Sequence, residues 1–212
     1  MRGRGWLDSP GDTLSIMGPA VERSRLTVEE FLSRSADERV ELIRGSLVEK
    51  ASPTEEHSRA QGGIDRRVGE RFARKPGGRW PGGWWFYVEL DLRFAQEILR
   101  PDLCGFRRDR MEQRPSGRVV TTVPDWVCEV LSPSTAKTDR VEKLQTYFAA
   151  GVTHYWLLDP IEGSLEVLRR TDLAYALVQT AHRGQRLKPE PFDALEFSVD
   201  ELLGDDVDDD DP

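Results

Sequence analysis

The sequence predicts an α/β (α+β) fold in which a mixed central β-sheet is flanked by helices. Two apolar runs, Asp125–Leu131 and His154–Leu158, have the length and hydrophobicity of strands covered on both faces. Two helical patterns, Glu55–Lys75 and Asp139–Ala150, stand before and between these runs. Strands and helices thus alternate irregularly over 212 residues, a length that suits one such domain.

The first elements are short. Leu26–Ser35 predicts a helix that is capped by Thr27, with Glu30 completing a capping box. Glu41–Lys50 predicts two strands joined at Arg44-Gly45, because a turn dipeptide separates two apolar pieces. A small hairpin should therefore follow the first helix.

The next elements are longer. Glu55–Lys75 predicts a basic helix whose inward positions are Ile64, Val68 and Phe72, at the i, i+4 and i+8 spacing of one helical face. Trp84–Phe94 alternates and is rich in aromatic residues, as expected for a strand. The helix would cover a face of the central sheet, and the strand would extend the sheet.

The sheet should continue with Leu99–Phe106, a strand entered through Pro101, a position at which proline is tolerated. After the buried strand Asp125–Leu131, the helix Asp139–Ala150 should begin at Asp139 as its N-cap and end at Gly151. Its expected core positions are three apolar residues, Val141, Leu144 and Phe148.

The chain should end with a hairpin and a short closing piece. Leu165–Arg169 and Tyr175–Thr180 are apolar pieces on either side of Thr171-Asp172, which predicts the hairpin. Phe192–Leu203 predicts a short strand followed by a helical turn.

Composition and charge predict where the folded domain begins and ends. We expect a disordered leader over residues 1–24, a folded domain over 25–204 and an acidic disordered tail over 205–212. The net charge is −8, and removing the six tail aspartates leaves −2, so the body lacks the basic character of many DNA-binding proteins.

No run of about 18 apolar residues predicts a membrane span. The two cysteines, Cys104 and Cys128, lie in apolar runs, which suggests free thiols and a reducing, cytoplasmic location.

Glu129 is the first candidate for chemistry. It stands inside the apolar run Asp125–Leu131, and a buried carboxylate is costly unless it is paired or binds a metal. A simple ion pair with an arginine explains it about as well as a function does.

Asp102 is a second candidate, since it stands at the start of a predicted strand and could meet Glu129 on a neighbouring one. A Pro-Asp pair is also common in turns, which is the alternative for Asp102. Asp125 competes as the partner of Glu129. Residues four apart in a strand lie roughly 13 Å apart, however, which is too far for two carboxylates to bind one metal ion.

The helix after Glu129 supplies further polar candidates. Arg140, Lys143 and Tyr147 fall on one stripe at i, i+3 and i+7, beside the apolar stripe, and could point toward the end of the sheet. A solvated face with an extended lysine is the alternative.

These residues together resemble a known family, Uma2, a bacterial group of restriction-endonuclease-like proteins in the PD-(D/E)xK nuclease superfamily. The resemblance covers about residues 26 to 203. It rests on Glu41-Leu-Ile-Arg-Gly45, His57, Pro101-Asp102, the run Pro124 to Ser134 (PDWVCEVLSPS), the Asp139, Lys143 and Tyr147 helix, and Gly151 to Asp159 (GVTHYWLLD).

The resemblance implies a restriction-endonuclease-like fold and a metal-dependent phosphodiesterase that cuts DNA. Asp102 and Glu129 would hold Mg²⁺ or Mn²⁺, with the carbonyl oxygen of Val130 as a third ligand. Lys143 would orient the attacking water or stabilise the phosphate in the transition state. Dimerisation to cut both strands is an expectation of the same kind.

Other matching positions receive roles in the same way. Glu41 would stand near the metal as a further catalytic residue. His57 would contact the substrate or hydrogen-bond a carboxylate. Arg140 and Tyr147 would bind the substrate.

One departure from the superfamily pattern leaves alternatives open. The lysine expected two residues after the glutamate is Leu131 here, so Lys143 would replace it from the helix, and Lys137 is a weaker substitute. A catalytically inactive nucleic-acid-binding or assembly protein on the same fold remains an alternative, because fold does not decide activity. A nuclease acting on RNA or structured DNA is a third possibility. His154 and His182 are expected to be structural.

Overall fold

The computed structural model describes residues 25–34, 36 and 38–205. The predicted leader lies outside these residues, as does the acidic tail apart from Asp205. The helices of the described chain are α1 (Val28–Leu32), α2 (Glu55–Phe72), α3 (Leu144–Ala150), which a π-helical segment (Thr138–Lys143) precedes, and α4 (Val199–Leu202). Its strands are β1 (Val40–Ile43), β2 (Ser46–Glu49), β3 (Trp84–Val88), β4 (Leu92–Phe94), β5 (Glu97–Leu99), β6 (Leu103–Arg107), β7 (Trp126–Val130), β8 (His154–Asp159), β9 (Ser164–Arg170), β10 (Tyr175–His182), β11 (Arg186–Leu187) and β12 (Phe197–Ser198).

A six-stranded mixed sheet forms the centre of the fold, in the order β10-β9-β8-β7-β6-β3. Strands β7 and β8 are parallel and are joined through the π-helical segment and α3, whereas the other neighbours are antiparallel. All five residues of β7 are buried, as its apolar sequence predicts for a central strand. The predicted mixed sheet with flanking helices is confirmed.

A second sheet of four short strands, in the order β2-β1-β5-β4, packs beside the first. Its β1–β2 hairpin turns at Arg44 and Gly45, whose φ angles are 51° and 76°. Positive φ at both central residues of a two-residue turn matches the right-handed twist of the strands. The predicted hairpin at Arg44-Gly45 is confirmed.

Two strands that were predicted as continuous are interrupted. The predicted strand Trp84–Phe94 divides into β3 and β4, and Leu99–Phe106 divides into β5 and β6. The chain leaves the main sheet at Glu89, where φ is 49°, and returns after Pro101, which lacks an amide hydrogen for a strand ladder. A bidentate pair between Arg100 and Asp91 holds the crossover, with Nε 2.6 Å from Oδ1.

Helix α2 covers one face of the main sheet. Its predicted inward residues Ile64, Val68 and Phe72 are at most 3% exposed and belong to the core that α2 shares with β7 and β8. The capping box of α1, Thr27 with Glu30, is present as predicted. The hairpin of β9 and β10 and the closing pair of β12 and α4 also confirm the predicted elements.

The helix after β7 differs from its prediction. Asp139 is not an N-cap, because helical structure has already begun at Ala136, and the 1% exposed Asp139 lies inside the first turns. Val141 is 46% exposed, so its assignment to the core stripe is wrong. The π-helical segment has more residues per turn than an α-helix, which brings Asp139, Lys143 and Tyr147 to the inner face.

Candidate active site

A cavity of about 260 Å³ opens where the C-terminal end of β7 meets the start of β6 and the N-terminus of α2. It lies between the two sheets, the start of α2 and the π-helical segment. Its lining residues come from four stretches of the chain: Glu41, 48–57, Asp102 and 129–143. Its ionisable lining residues are Glu41, Glu49, Lys50, His57, Asp102, Glu129, Asp139 and Lys143.

Asp102 immediately precedes β6 and is 2% exposed. Its Oδ1 atom lies 2.8 Å from Nζ of Lys50, and its Oδ2 atom accepts a 2.8 Å hydrogen bond from the backbone N–H of Val130. Nε2 of His57 lies 3.2 Å from the same Oδ2 atom. Both oxygens of this carboxylate are therefore fixed in place by groups from three other elements.

Glu129 points into the cavity from β7 and is 1% exposed. Its Oε1 atom accepts hydrogen bonds from the Tyr147 hydroxyl at 2.7 Å and from Nζ of Lys143 at 3.2 Å. Glu129 and Asp102 come from neighbouring strands, and the backbone N–H of Val130, next to Glu129, holds Asp102. The two carboxylates thus line one cavity, as the sequence predicts.

Lys143 is shared by three carboxylates. Its Nζ atom lies 3.1 Å from Oε2 of Glu41, 3.2 Å from Oε1 of Glu129 and 3.2 Å from Oδ1 of Asp139, and the residue is 4% exposed. Glu41 is fixed on its other side by the backbone N–H of Arg100, 2.6 Å from Oε1. Lys143 is the positive centre of this half of the cavity.

The pKa values of these groups shift in different directions. Burial alone would raise the pKa of Asp102, but Lys50 and His57 hold it below the ordinary value. Burial raises the pKa of Glu129 to about 8, with Lys143 opposing the shift and Asp139 and Asp102 adding to it. Burial would lower the pKa of Lys143, but Glu129, Glu41 and Asp139 raise it well above its usual range. The ammonium form of Lys143 is therefore favoured near neutral pH, whereas Glu129 can carry a proton there.

The structure brings together most of the residues that the sequence singled out. Asp102, Glu129, Lys143, Glu41 and His57 line the cavity, and Tyr147 reaches it through Glu129. The backbone of Val130 also borders it, although the contact that the structure shows is made by the N–H group.

Arg140 does not join the cavity. Its guanidinium donates a 2.7 Å hydrogen bond to Glu166 on β9, and its side chain is 39% exposed. The prediction that Arg140 shares a stripe with Lys143 and Tyr147 is wrong, because the wider π-helical turn rotates it outward. Its role in substrate binding stays a prediction.

The competing residues lie elsewhere. Asp125 accepts the backbone N–H of Arg107 at 2.8 Å and pairs with Arg110, so it holds a loop at the other end of the sheet. Lys137 is exposed and does not line the cavity. His154 contacts Glu190 at 3.5 Å, away from the cavity, in agreement with a structural role.

Lys50 and Asp139 lie in the cavity, but the sequence did not identify them as site residues. Lys50 follows β2, and nothing in its local sequence distinguishes it from a surface lysine. Asp139 was assigned to a cap, although its i, i+4 spacing with Lys143 was a signal for an inward ion pair. Their places in the cavity become apparent only from the three-dimensional arrangement of the strands and the π-helical segment.

The carboxylates of the cavity determine whether a divalent cation fits. Within residues 25–34, 36 and 38–205, no group of three or more His, Cys, Asp or Glu side chains is arranged to hold a metal ion. The donor set nevertheless fits Mg²⁺ or Mn²⁺, because four buried carboxylates, Glu41, Asp102, Glu129 and Asp139, face only two lysines. Mg²⁺ is often held by one or two carboxylates with several waters, so Asp102 and Glu129 suffice in number.

Comparisons with known proteins identify a family and a similar fold. A family model described as "Putative restriction endonuclease", Uma2, matches residues 28–200. Among solved structures, the chain is similar to a crystal structure described as a putative nuclease belonging to DUF820 from Anabaena variabilis ATCC 29413, with a TM-score of 0.64 and 25% identity. That similarity covers 84% of this chain and 97% of the other. A search of curated proteins gives no match.

Proposed function

The chain belongs to the Uma2 family, and we propose that it is a metal-dependent phosphodiesterase that cuts DNA with Mg²⁺ or Mn²⁺. The observation that carries the proposal is the meeting of Asp102, Glu129 and Lys143 in one buried cavity. Buried ionisable groups with strongly shifted pKa values are characteristic of catalytic sites. The similar fold of a protein described as a nuclease supports the same reading.

Asp102 and Glu129 are the residues that would hold the cation, with Glu41 and Asp139 beside them. A bound divalent cation supplies Lewis-acid stabilisation of the phosphate and activation of a water molecule. The carboxylates must give up contacts with Lys50 and Lys143 to bind it, and Glu129 must lose its proton. Cation affinity should therefore rise with pH through the pKa of Glu129.

Lys143 is the residue that would stabilise negative charge on the scissile phosphate. Its high pKa excludes it as a general base near neutral pH, since its ammonium group stays protonated. A fixed ammonium in a buried cavity stabilises developing charge more strongly than one in water. It takes the place of the lysine that the superfamily pattern expects at Leu131.

His57 and Tyr147 act as positioning residues in this proposal. His57 contacts Oδ2 of Asp102, and its Nδ1 atom is buried without a hydrogen-bond partner among the described residues. Nδ1 is thus the atom that a substrate group or a water would satisfy. Tyr147 fixes the direction of the Glu129 carboxylate through its hydroxyl group.

The test is cleavage of supercoiled plasmid with Mg²⁺ or Mn²⁺. Wild type should nick or linearise the plasmid, and Glu129→Gln and Lys143→Met should each slow cleavage by at least roughly 10²-fold. EDTA should abolish cleavage. Glu166→Gln is the matched control, because it changes a carboxylate on β9 that pairs with Arg140 outside the cavity.

Each outcome separates one part of the proposal from the rest. Cleavage that survives Lys143→Met but not Glu129→Gln would keep the metal site and reject the role of Lys143. A folded wild type that cuts no form of DNA but cuts RNA would change the substrate class. A protein that binds DNA and cleaves nothing would be the inactive binding protein.

The assembly and location belong to the proposal as well. Linearisation in a single encounter would need two centres, for which a homodimer is the natural arrangement. A cytoplasmic location agrees with Cys104 and Cys128, which are buried free thiols. No helix within the described residues is long and apolar enough to cross a membrane.

A further inference from the structure

A second charged region lies at the other end of the main sheet. We name it the arginine surface and define it as residues 71–80, at the end of α2 and in the following loop, together with residues 107–114 after β6. Residues 71–80 contain four Lys or Arg and no Asp or Glu, and residues 107–114 contain four Arg and two acids. The surface thus carries a net charge of +6 in a chain whose net charge is −8.

The two segments form one surface because Arg108 ties them together. Its guanidinium donates to the carbonyl oxygens of Trp84 at 3.0 Å and Ala73 at 2.8 Å, and its backbone N–H donates to Gly83. The indole N–H of Trp85 donates to the carbonyl oxygen of Met111 at 3.2 Å. Both segments are therefore held against the edge strand β3.

Most cations of the arginine surface have no acidic partner. Six of them have no carboxylate oxygen within 4.0 Å in the described part of the chain: Arg71, Arg74, Lys75, Arg79, Arg108 and Arg114. The other two, Arg107 and Arg110, pair with Asp109 and Asp125. Six unpaired cations in one region repel one another, so an external anion would stabilise them.

Four of these arginines are stacked on two tryptophans. The Arg79 and Arg71 guanidinium carbons lie 4.9 and 5.5 Å from the ring centroid of Trp80. The guanidinium carbons of Arg108 and Arg114 lie 3.4 and 4.5 Å from the Trp85 centroid. Stacking restrains a guanidinium without using its N–H groups. Arg71 and Arg108 spend some of theirs on backbone carbonyl oxygens, so the exposed Arg79 and Arg114 are the stacked residues best placed to bind a phosphate.

We propose that the arginine surface binds backbone phosphates of duplex DNA, as a contact separate from the cavity that holds Asp102 and Glu129. The inference rests on the proposed function, since it takes the substrate of that cavity to be DNA. Guanidinium groups bind phosphate in a bidentate manner, and unpaired cations beside aromatic rings are typical of nucleic-acid-binding surfaces. Because the folded body is nearly neutral overall, we expect its binding of phosphates to be concentrated on the arginine surface.

The fold sets the distance between the surface and the cavity. From Asp102, just before β6, to Arg107 at its end is five residues of about 3.3 Å each, or roughly 17 Å. Helix α2 runs from His57 to Arg71, fourteen residues of about 1.5 Å each, or roughly 21 Å. Both paths correspond to about five or six base pairs at roughly 3.4 Å per pair. DNA that reaches both regions should therefore extend at least that far from the cut phosphate.

The experiment measures binding without cleavage. Fluorescence anisotropy of a labelled 30-base-pair duplex (about five cut-to-surface spans) would be recorded in EDTA over a series of salt concentrations. The test variant of the full chain is Arg79→Ala with Arg114→Ala. The matched control is Arg170→Ala with Lys188→Ala, which removes the same charge, and in which Arg170 is likewise stacked, on the Phe148 ring at 4.7 Å.

The expected result is an affinity about tenfold lower for the test variant, with the slope of log K against log salt reduced by about 2. The control variant should bind as wild type does. Equal losses in both variants, or an unchanged slope in the test variant, would overturn the proposal.

Plasmid cleavage measured in parallel distinguishes the two proposals. If wild type cleaves the plasmid and the test variant binds the duplex no more weakly than the control variant does, the arginine surface is rejected and the nuclease proposal stands. A specific loss of binding without any wild-type cleavage keeps the surface and rejects the nuclease. Wild type that neither binds nor cuts duplex DNA rejects both.

Discussion

The two halves of the cavity hold equally buried carboxylates in opposite electrostatic states. Asp102 is 2% exposed and Glu129 is 1% exposed, and they come from adjacent strands. Asp102 contacts Lys50, His57 and the N–H of Val130, so its pKa lies below the ordinary value. The other carboxylate near Lys50, that of Glu89 at 3.8 Å, has a bidentate partner of its own in Arg39. Glu129 shares Lys143 with Glu41 and Asp139, and its pKa is raised to about 8.

The difference shows that the number of partners, and not the depth of burial, decides the charge of a buried acid here. Cations equal in number to the carboxylates repay the loss of hydration, whereas one cation shared by three carboxylates does not. The Glu129 half is thus the part of the cavity with surplus negative charge. It is the half that a divalent cation would stabilise most.

Removing the shared cation should have the largest effect. Lys143→Met leaves Glu41, Glu129 and Asp139 buried without a positive partner, and we expect a loss of about 3–5 kcal/mol in the free energy of unfolding. Urea denaturation at pH 7 measures it. The control is Arg140→Ala, three residues earlier on the exposed side, which should cost less than about 1 kcal/mol. Equal costs for the two variants would contradict the central role of Lys143.

The pH dependence of stability should separate the two halves. Glu129 has a raised pKa, so its contribution is fully present below about 4.5 and is lost as pH rises through about 8. The loss should amount to a few kcal/mol, spread over the pH range between these two values. Asp102 has a depressed pKa, so its contribution is present above its ordinary value of 3.8 and is lost as pH falls further.

Denaturation midpoints between about pH 2 and 9 test this expectation. Glu129→Gln should flatten the alkaline decline and leave the acid side unchanged, whereas Asp102→Asn should change the acid side only. The exposed-side variant Glu166→Gln serves as the control for a carboxylate outside the cavity. A wild-type protein whose stability is level from pH 6 to 9 would contradict the raised pKa of Glu129.

The fold was predictable where apolar patterns are long. Strand β7 and helix α2 follow from their hydrophobic positions, because burial on one face or on both leaves a period in the sequence. The breaks at Glu89 and Pro101 were missed, since the continuous apolar pattern hides a transfer between two sheets. The local sequence does not show which of two sheets a strand joins, because that depends on pairing with segments that are distant in sequence.

The site was predictable for the residues within recognisable motifs and not for the others. Asp102 and Glu129 stand out because an acid in an apolar run is costly. Lys50 could not be predicted, since its side chain is buried by contacts with Arg100 and Asp102, which are distant in sequence. Arg140 was placed wrongly because an α-helical spacing was assumed where the chain forms a π-helical turn. The direction of a side chain on an irregular turn is thus harder to predict from sequence than the burial of a carboxylate in an apolar strand.

The smallest effect on stability is expected for Lys50→Met, and it sharpens the comparison most. Asp102 keeps its contacts with His57 and Val130 after this change, so the cost should be about 1–2 kcal/mol, below that of Lys143→Met. The change also frees Oδ1 of Asp102 and removes a positive charge from the cavity. Mn²⁺ should therefore bind the variant more tightly than wild type in calorimetric titration at pH 7. Lys75→Met, on the exposed loop after α2, is the control for loss of a lysine. Weaker Mn²⁺ binding in Lys50→Met alone would mean that Lys50 holds Asp102 in place for the cation, and not that the two compete for the same oxygen.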